Sequence, residues 1–105
     1  MRWRLMRGEA LLGELAEDGC DMPFSTARFE AGAGWGEVRA HFDALNALSG
    51  PDPDGVRTAA VLGPIIDLGL TLVPDGGGQA LGVWRKEAGG TCFLRIDGAR
   101  ARMRY

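Results

Sequence analysis

The chain has 105 residues, a formal net charge of −2, and 46% hydrophobic against 25% charged residues. That is enough apolar side chain for one folded domain over residues 1–105 and too much for a disordered one. The charge balance argues against nucleic acid or an anionic membrane as a partner, two cysteines are too few for a disulfide scaffold, and the most apolar stretch is broken by Gly63 and Pro64 before it could span a bilayer.

Seventeen glycines predict many turns and argue against a mainly helical chain. Trp3 and Leu5 alternate with Arg2, Arg4 and Met6, the period of a strand. Gly8 predicts a hairpin into a second strand over Ala10 to Glu17, followed by a loop over Gly19 to Pro23 and a third strand over Phe24 to Glu30. After Ala31-Gly32-Ala33-Gly34 the period changes. Trp35, Val38, Phe42, Leu45 and Leu48 fall on one face of a helix, which Ser49-Gly50-Pro51 ends. Asp52-Pro53 reads as the cap and first-turn proline of a short second helix to about Val61, terminated by Gly63-Pro64. Alternation resumes with Ile66, Leu68, Leu70 and Leu72 as a strand, then Gln79 to Lys86 and Thr91 to Ile96 as two more. Asp97-Gly98 predicts a hairpin into a last strand with Arg100, Arg102 and Arg104 on one face. Short connections favour antiparallel pairing. The expected fold is α+β, a twisted antiparallel sheet of about six to seven strands with one main helix on its apolar face, and with the last strand as an open edge.

Leu12-Gly13-Glu14-Leu15, Asp21-Met22-Pro23-Phe24, Arg28-Phe29-Glu30, the Trp35, Val38, Phe42-Asp43 series and Phe93-Leu94-Arg95-Ile96-Asp97-Gly98 together resemble a family of small uncharacterised proteins from high-GC bacteria. The resemblance implies a single domain and, since that family has no assigned activity, contributes no catalytic residue. Eleven of the twelve basic residues are arginine, as codon usage in such a bacterium would give.

Candidate chemistry is sparse. His41 is the sole histidine, and with Cys20 it could form a thiol–imidazole dyad oriented by Asp43 or Asp21. Asp43 is two positions away and points to another side of the helix, and the acidic surroundings of Cys20 disfavour a nucleophilic role, so a packing or surface role is the plainer reading. Cys92 reads as a small apolar core residue. No pair of ligands has metal spacing, the Asp52-Pro53-Asp54-Gly55 stretch fails the calcium-loop pattern, and Gly76-Gly77-Gly78 leads into a strand rather than a helix; neither a metal nor a cofactor is expected.

The arginines carry the binding expectation. Arg2 and Arg4 share a face of the first strand and Arg100, Arg102 and Arg104 a face of the last. If the two strands are neighbours, five guanidinium groups form one basic stripe, against the plainer reading of solvated charges balanced by nearby acids. Trp3, Trp35 and Trp84 read as core, with an exposed one serving as an interface anchor. The expected function is a non-enzymatic binding or protein-interaction module in the cytoplasm, with a protein partner or a second copy of the chain as its occupant. The alternatives are a small enzyme or metal protein using His41 with Cys20, and a small-ligand pocket between helix and sheet. The N-terminus lacks the apolar run of a signal peptide, which underlies the expected compartment.

Overall fold

In the computed structural model, which describes all 105 residues, the first strand has two neighbours. Strand β1 (Arg2–Arg7) pairs antiparallel with β2 (Ala10–Asp21) on one side and with β4 (Leu70–Pro74) on the other, Trp3 lying opposite both Leu15 and Pro74. Strand β2 pairs with β3 (Phe24–Ala31), β3 with β7 (Arg100–Arg104), and β7 with β6 (Thr91–Asp97), all antiparallel. The three-residue β5 (Leu81–Val83) joins β4 to β6 and runs parallel to β6. The order β1-β2-β3-β7-β6-β5-β4 therefore closes into a barrel of seven strands.

This corrects the expected open sheet with one main helix. Period-two alternation says which side chains share a face. It is silent on which strands are neighbours, and the β1–β4 pairing that closes the barrel joins residues about seventy positions apart in sequence. The last strand lies between β3 and β6 and is no edge.

The inward residues fill the barrel. Trp3, Leu5, Leu15, Ala27, Phe29, Leu70, Leu72, Val83, Cys92, Leu94, Ile96, Ala101 and Met103 are all buried. One end is plugged from outside the sheet. Trp35 opens a 3-10 turn (Trp35–Glu37), helix α1 (Arg39–Asn46) follows, and Trp35, Val38, Phe42 and Leu45 are all buried. Trp35 stacks between Phe29 and Phe42, with ring centroids 4.6 and 5.2 Å away. The helical stripe read from the sequence thus does face the core, although the α-helix proper is shorter than that stripe and leaves Leu48 half-buried beyond its end.

Helix α2 (Val56–Asp67) starts and ends later than expected. The Asp52 carboxylate accepts from the amide and hydroxyl of Thr58, both at 2.8 Å, and Gly55 takes φ +72° at the N-cap. Pro64 sits inside the helix rather than ending it. Burial decides this: Ile65 is fully buried and Val61, Leu62 and Leu68 pack against the core, while burying one such side chain contributes roughly 1.5–3 kcal/mol. Pro64 is in the last turn, where only the bond to the Ala60 carbonyl is lost. Ile66 and Leu68, which alternate like a strand, belong to this helix end and its cap.

Two-residue turns close the outer hairpins. Gly8 (φ +59°) and Gly98 (φ +60°) take their first positions, so the last turn is Gly98-Ala99, one residue after the expected pair. Strand β2 runs past Glu17 to Asp21 because a register shift between Glu17 and Gly19 adds a residue without ending the ladder.

Closure is thinnest at β5. It offers two residue pairs to β4 and two to β6. Beyond Val83 the β6 carbonyls are met otherwise: Cys92 by the Trp84 amide at 2.9 Å, Leu94 by the Trp84 indole Nε1 at 2.8 Å, and Ile96 by Asn46 Nδ2 of α1 at 2.7 Å. Two side chains stand in for the strand that β5 is too short to provide. No helix is long and apolar enough to cross a membrane.

Candidate functional site: an arginine and aromatic face

The five arginines singled out from sequence do not form one stripe, because β2 and β3 lie between β1 and β7. Arg2 and Arg4 both approach Asp75, at 3.9 and 3.5 Å. Arg100 grips Asp18 with both terminal nitrogens, Nη2 at 3.0 Å, and this hydrogen bonding holds the Asp18 carboxyl below the usual carboxylate range and raises the Arg100 guanidinium above its own. Arg102 bonds Asp21 at 2.9 Å. Arg104 has no acidic partner within ion-pair distance.

Cys20 and His41 are not brought together. Cys20 is exposed near the β2–β3 turn, opposite Ser25. His41 is half-buried on α1, which packs at the far end of the barrel where Asn46 bonds the Ile96 carbonyl. Helix α1 packs chiefly on β6 and α2, not on the β2–β3 turn. Cys92 is inside the barrel, where burial pushes its thiol up to about 12, leaving it protonated and inert at neutral pH.

Across β3, β7 and β6 the outward residues form rows fixed by register. Phe93 pairs with Arg104 and Arg95 with Arg102. The neighbouring Ser25–Met103 pair sets Phe24 beside Arg104 on the other side. Arg104 therefore stands between two phenylalanines. The Arg102 guanidinium carbon lies 4.5 Å from the Phe24 ring centroid, in cation–π range.

Trp84 completes the face. It is the one non-glycine residue with positive φ, at +59°, a left-handed conformation that is an outlier for so bulky a side chain. The chain doubles back so sharply here that a Cβ on Gly82 would lie 2.1 Å from the Arg85 carbonyl oxygen. The turn aims the indole outward along β6, where it meets Phe93 edge to face with centroids 5.2 Å apart. Phe24, Trp84, Phe93, Arg95 and Arg104 enclose a shallow groove of about 280 Å³. Phe93 remains 42% exposed.

The chain matches no protein-family model, no curated protein and no solved structure. The site is therefore read from its own chemistry. Neither Arg95 nor Arg104 has a carboxylate within 4.0 Å, whereas Arg2, Arg4, Arg100 and Arg102 each do.

Other clefts differ in character, and Arg95 also borders one of about 280 Å³ with Asp52 and Arg57. One of about 390 Å³ runs over β1, β2, β3 and β7, with Arg2, Arg28 and Arg100 beside Glu14 and Glu30, so both charges meet there. One of about 220 Å³ lies where α1 meets the sheet and holds the Arg39–Asp43 ion pair. Sequence reading named Arg104 and missed the rest of the groove. Phe93 and Arg95 were legible as outward residues, since they alternate with Cys92, Leu94 and Ile96. Trp84 was not, because its outward turn depends on a backbone conformation that its residue type disfavours.

Proposed function

We propose that the chain is a non-enzymatic protein-interaction module that docks its partner on the outer face of β3, β7 and β6. One observation carries this reading: Arg95 and Arg104 stand without acidic partners among Phe24, Phe93 and Trp84. Aromatic and arginine side chains dominate the binding energy of protein interfaces, and a guanidinium without a carboxylate partner beside partly exposed aromatic rings is available to a partner's acid. A closed barrel offers no free strand edge, so recognition runs through side chains rather than strand addition. A two-fold contact centred on this face would gather the Arg95 and Arg104 charges of both copies in one interface, so like charge disfavours a second copy as occupant. The free thiols of Cys20 and Cys92 suit a reducing, cytoplasmic setting.

The test places a photo-crosslinking amino acid at Phe93 in cells, in the native background and with Arg95→Glu and Arg104→Glu combined. The expected result is one crosslinked protein species that disappears on charge reversal while the melting temperature is unchanged. A species captured equally by both backgrounds overturns the proposal.

A further inference from the structure

Resting on that reading, we infer that the groove between Trp84, Phe93 and Phe24 receives an acidic segment of the partner, an apolar side chain flanked by carboxylates. The groove's volume of about 280 Å³ lies at the small end of ligand sites and suits one or two side chains of a larger molecule. Its middle is aromatic and its sides are cationic. Arg95 is two residues beyond Phe93 on β6 and Arg104 is opposite Phe93 on β7, so the guanidinium groups flank the ring from two directions. Each is a planar fork suited to a carboxylate.

The face already holds one such contact. Asp21, at the end of β2, bonds Arg102 at 2.9 Å while that guanidinium lies over Phe24. A carboxylate on an arginine that packs against a phenylalanine is the arrangement a partner would repeat at Arg104, which has the ring of Phe93 opposite and no carboxylate.

Single-stranded nucleic acid fits less well. Stacking runs along successive open ring faces, and the Phe24 ring is covered by Arg102. A planar, uncharged ligand would leave Arg95 and Arg104 unused.

The Trp84 indole N–H, bonded to the Leu94 carbonyl at the groove's wall, gives an isolated NMR signal to follow. Four probes are titrated into the intact protein: a glutamate-rich peptide with a central phenylalanine, the same peptide with glutamines for glutamates, the same peptide with alanine for phenylalanine, and oligothymidylate. The expected result is a saturable shift of the Trp84 indole and Phe93 amide signals with the first peptide. Affinity falls about tenfold or more with Arg95→Glu and Arg104→Glu combined, and by a similar factor when either the glutamates or the phenylalanine of the peptide is replaced. Equal binding of the glutamine peptide, or stronger binding of oligothymidylate, overturns the inference. So does an inert first peptide. In each of those cases the Phe93 crosslink still reports on the interaction reading: a crosslink abolished by charge reversal leaves that reading standing while the acidic segment falls, and its persistence removes both.

Discussion

Glu17 is a carboxylate set in an apolar mouth. Its side chain is 14% exposed, and it accepts hydrogen bonds from Trp3 Nε1 at 3.1 Å and from the Tyr105 hydroxyl at 2.9 Å, with the Met1 ammonium 3.9 Å away. Glu17→Ala leaves the buried indole N–H without an acceptor. Bonds to a charged group contribute more than neutral ones, so a loss of about 2–3 kcal/mol is expected in a urea titration, with Glu17→Gln losing less because it keeps one acceptor oxygen. The same cluster sets the alkaline limit. Burial, then the bond to Glu17, pushes the Tyr105 hydroxyl from 10.0 to about 12, and burial pushes the Cys92 thiol from 9.0 to about 12. Both groups hold their protons more tightly folded than unfolded. These two groups therefore leave stability unchanged below about pH 9 and lower it as pH rises towards 12. Melts of the Tyr105→Phe variant should retain the Cys92 part of that fall and lose the part that begins near pH 10. None of this cluster was legible in the sequence. Glu17 reads as the last residue of an ordinary strand; it shares a face with Leu15, which pairs with Trp3, but its meeting with a terminus 88 residues away leaves no local mark.

At the scale of elements, the helical stripe from Trp35 to Leu45 was legible because its packing follows its period. The outer hairpin turns were legible because glycine marks them. The presence of helix α2 was legible and its end was not, since Gly63-Pro64 is a local signal and the burial of Ile65 is a tertiary one that outweighs it. Strand β5 and Trp84 show the same conflict more sharply. Gln79 to Lys86 has the composition of a strand, but the chain keeps only three residues of it and turns back at a tryptophan with φ +59°. That conformation opposes folding by on the order of 1–3 kcal/mol, offset by the indole's bond to Leu94 and its contact with Phe93. Two substitutions separate the terms. Trp84→Ala loses the side-chain contacts and keeps the strain; Trp84→Gly loses the contacts and relieves the strain. The glycine variant should be the more stable of the two by about 1 kcal/mol in denaturant titrations. The reverse order would mean that the turn is unstrained.

For the whole molecule, the sequence carried which residues face inward and little about how the strands close. Trp3, Leu5, Phe29, Leu72, Cys92, Leu94 and Ile96 alternate as core residues and are buried. The same alternation fits an open sheet or a barrel. What distinguishes them is the β1–β4 pairing, which joins distant parts of the chain and leaves no local mark. The condition for one arginine stripe, β1 beside β7, is unmet for the same reason: the two strands have matching faces but two strands between them. Closure also sets where the molecule opens. The amides of β4 and β6 that face β5 rest on two pairs each, so hydrogen exchange should be faster at Leu81 to Val83 and Trp84 than along the β2–β3 ladder, and faster again in Trp84→Ala.

The short β5 bears on self-association as well. A barrel hides every strand edge only while its weakest member stays in place. If β5 peels away, β4 and β6 are bared together, and β6 carries Cys92, Phe93 and Leu94 in one apolar run. Strand edges of that kind template pairing between chains. Trp84 and Asn46, which hold the carbonyls of Leu94 and Ile96, thereby act as gatekeepers against aggregation, in a stretch of β6 where no neighbouring strand could do so.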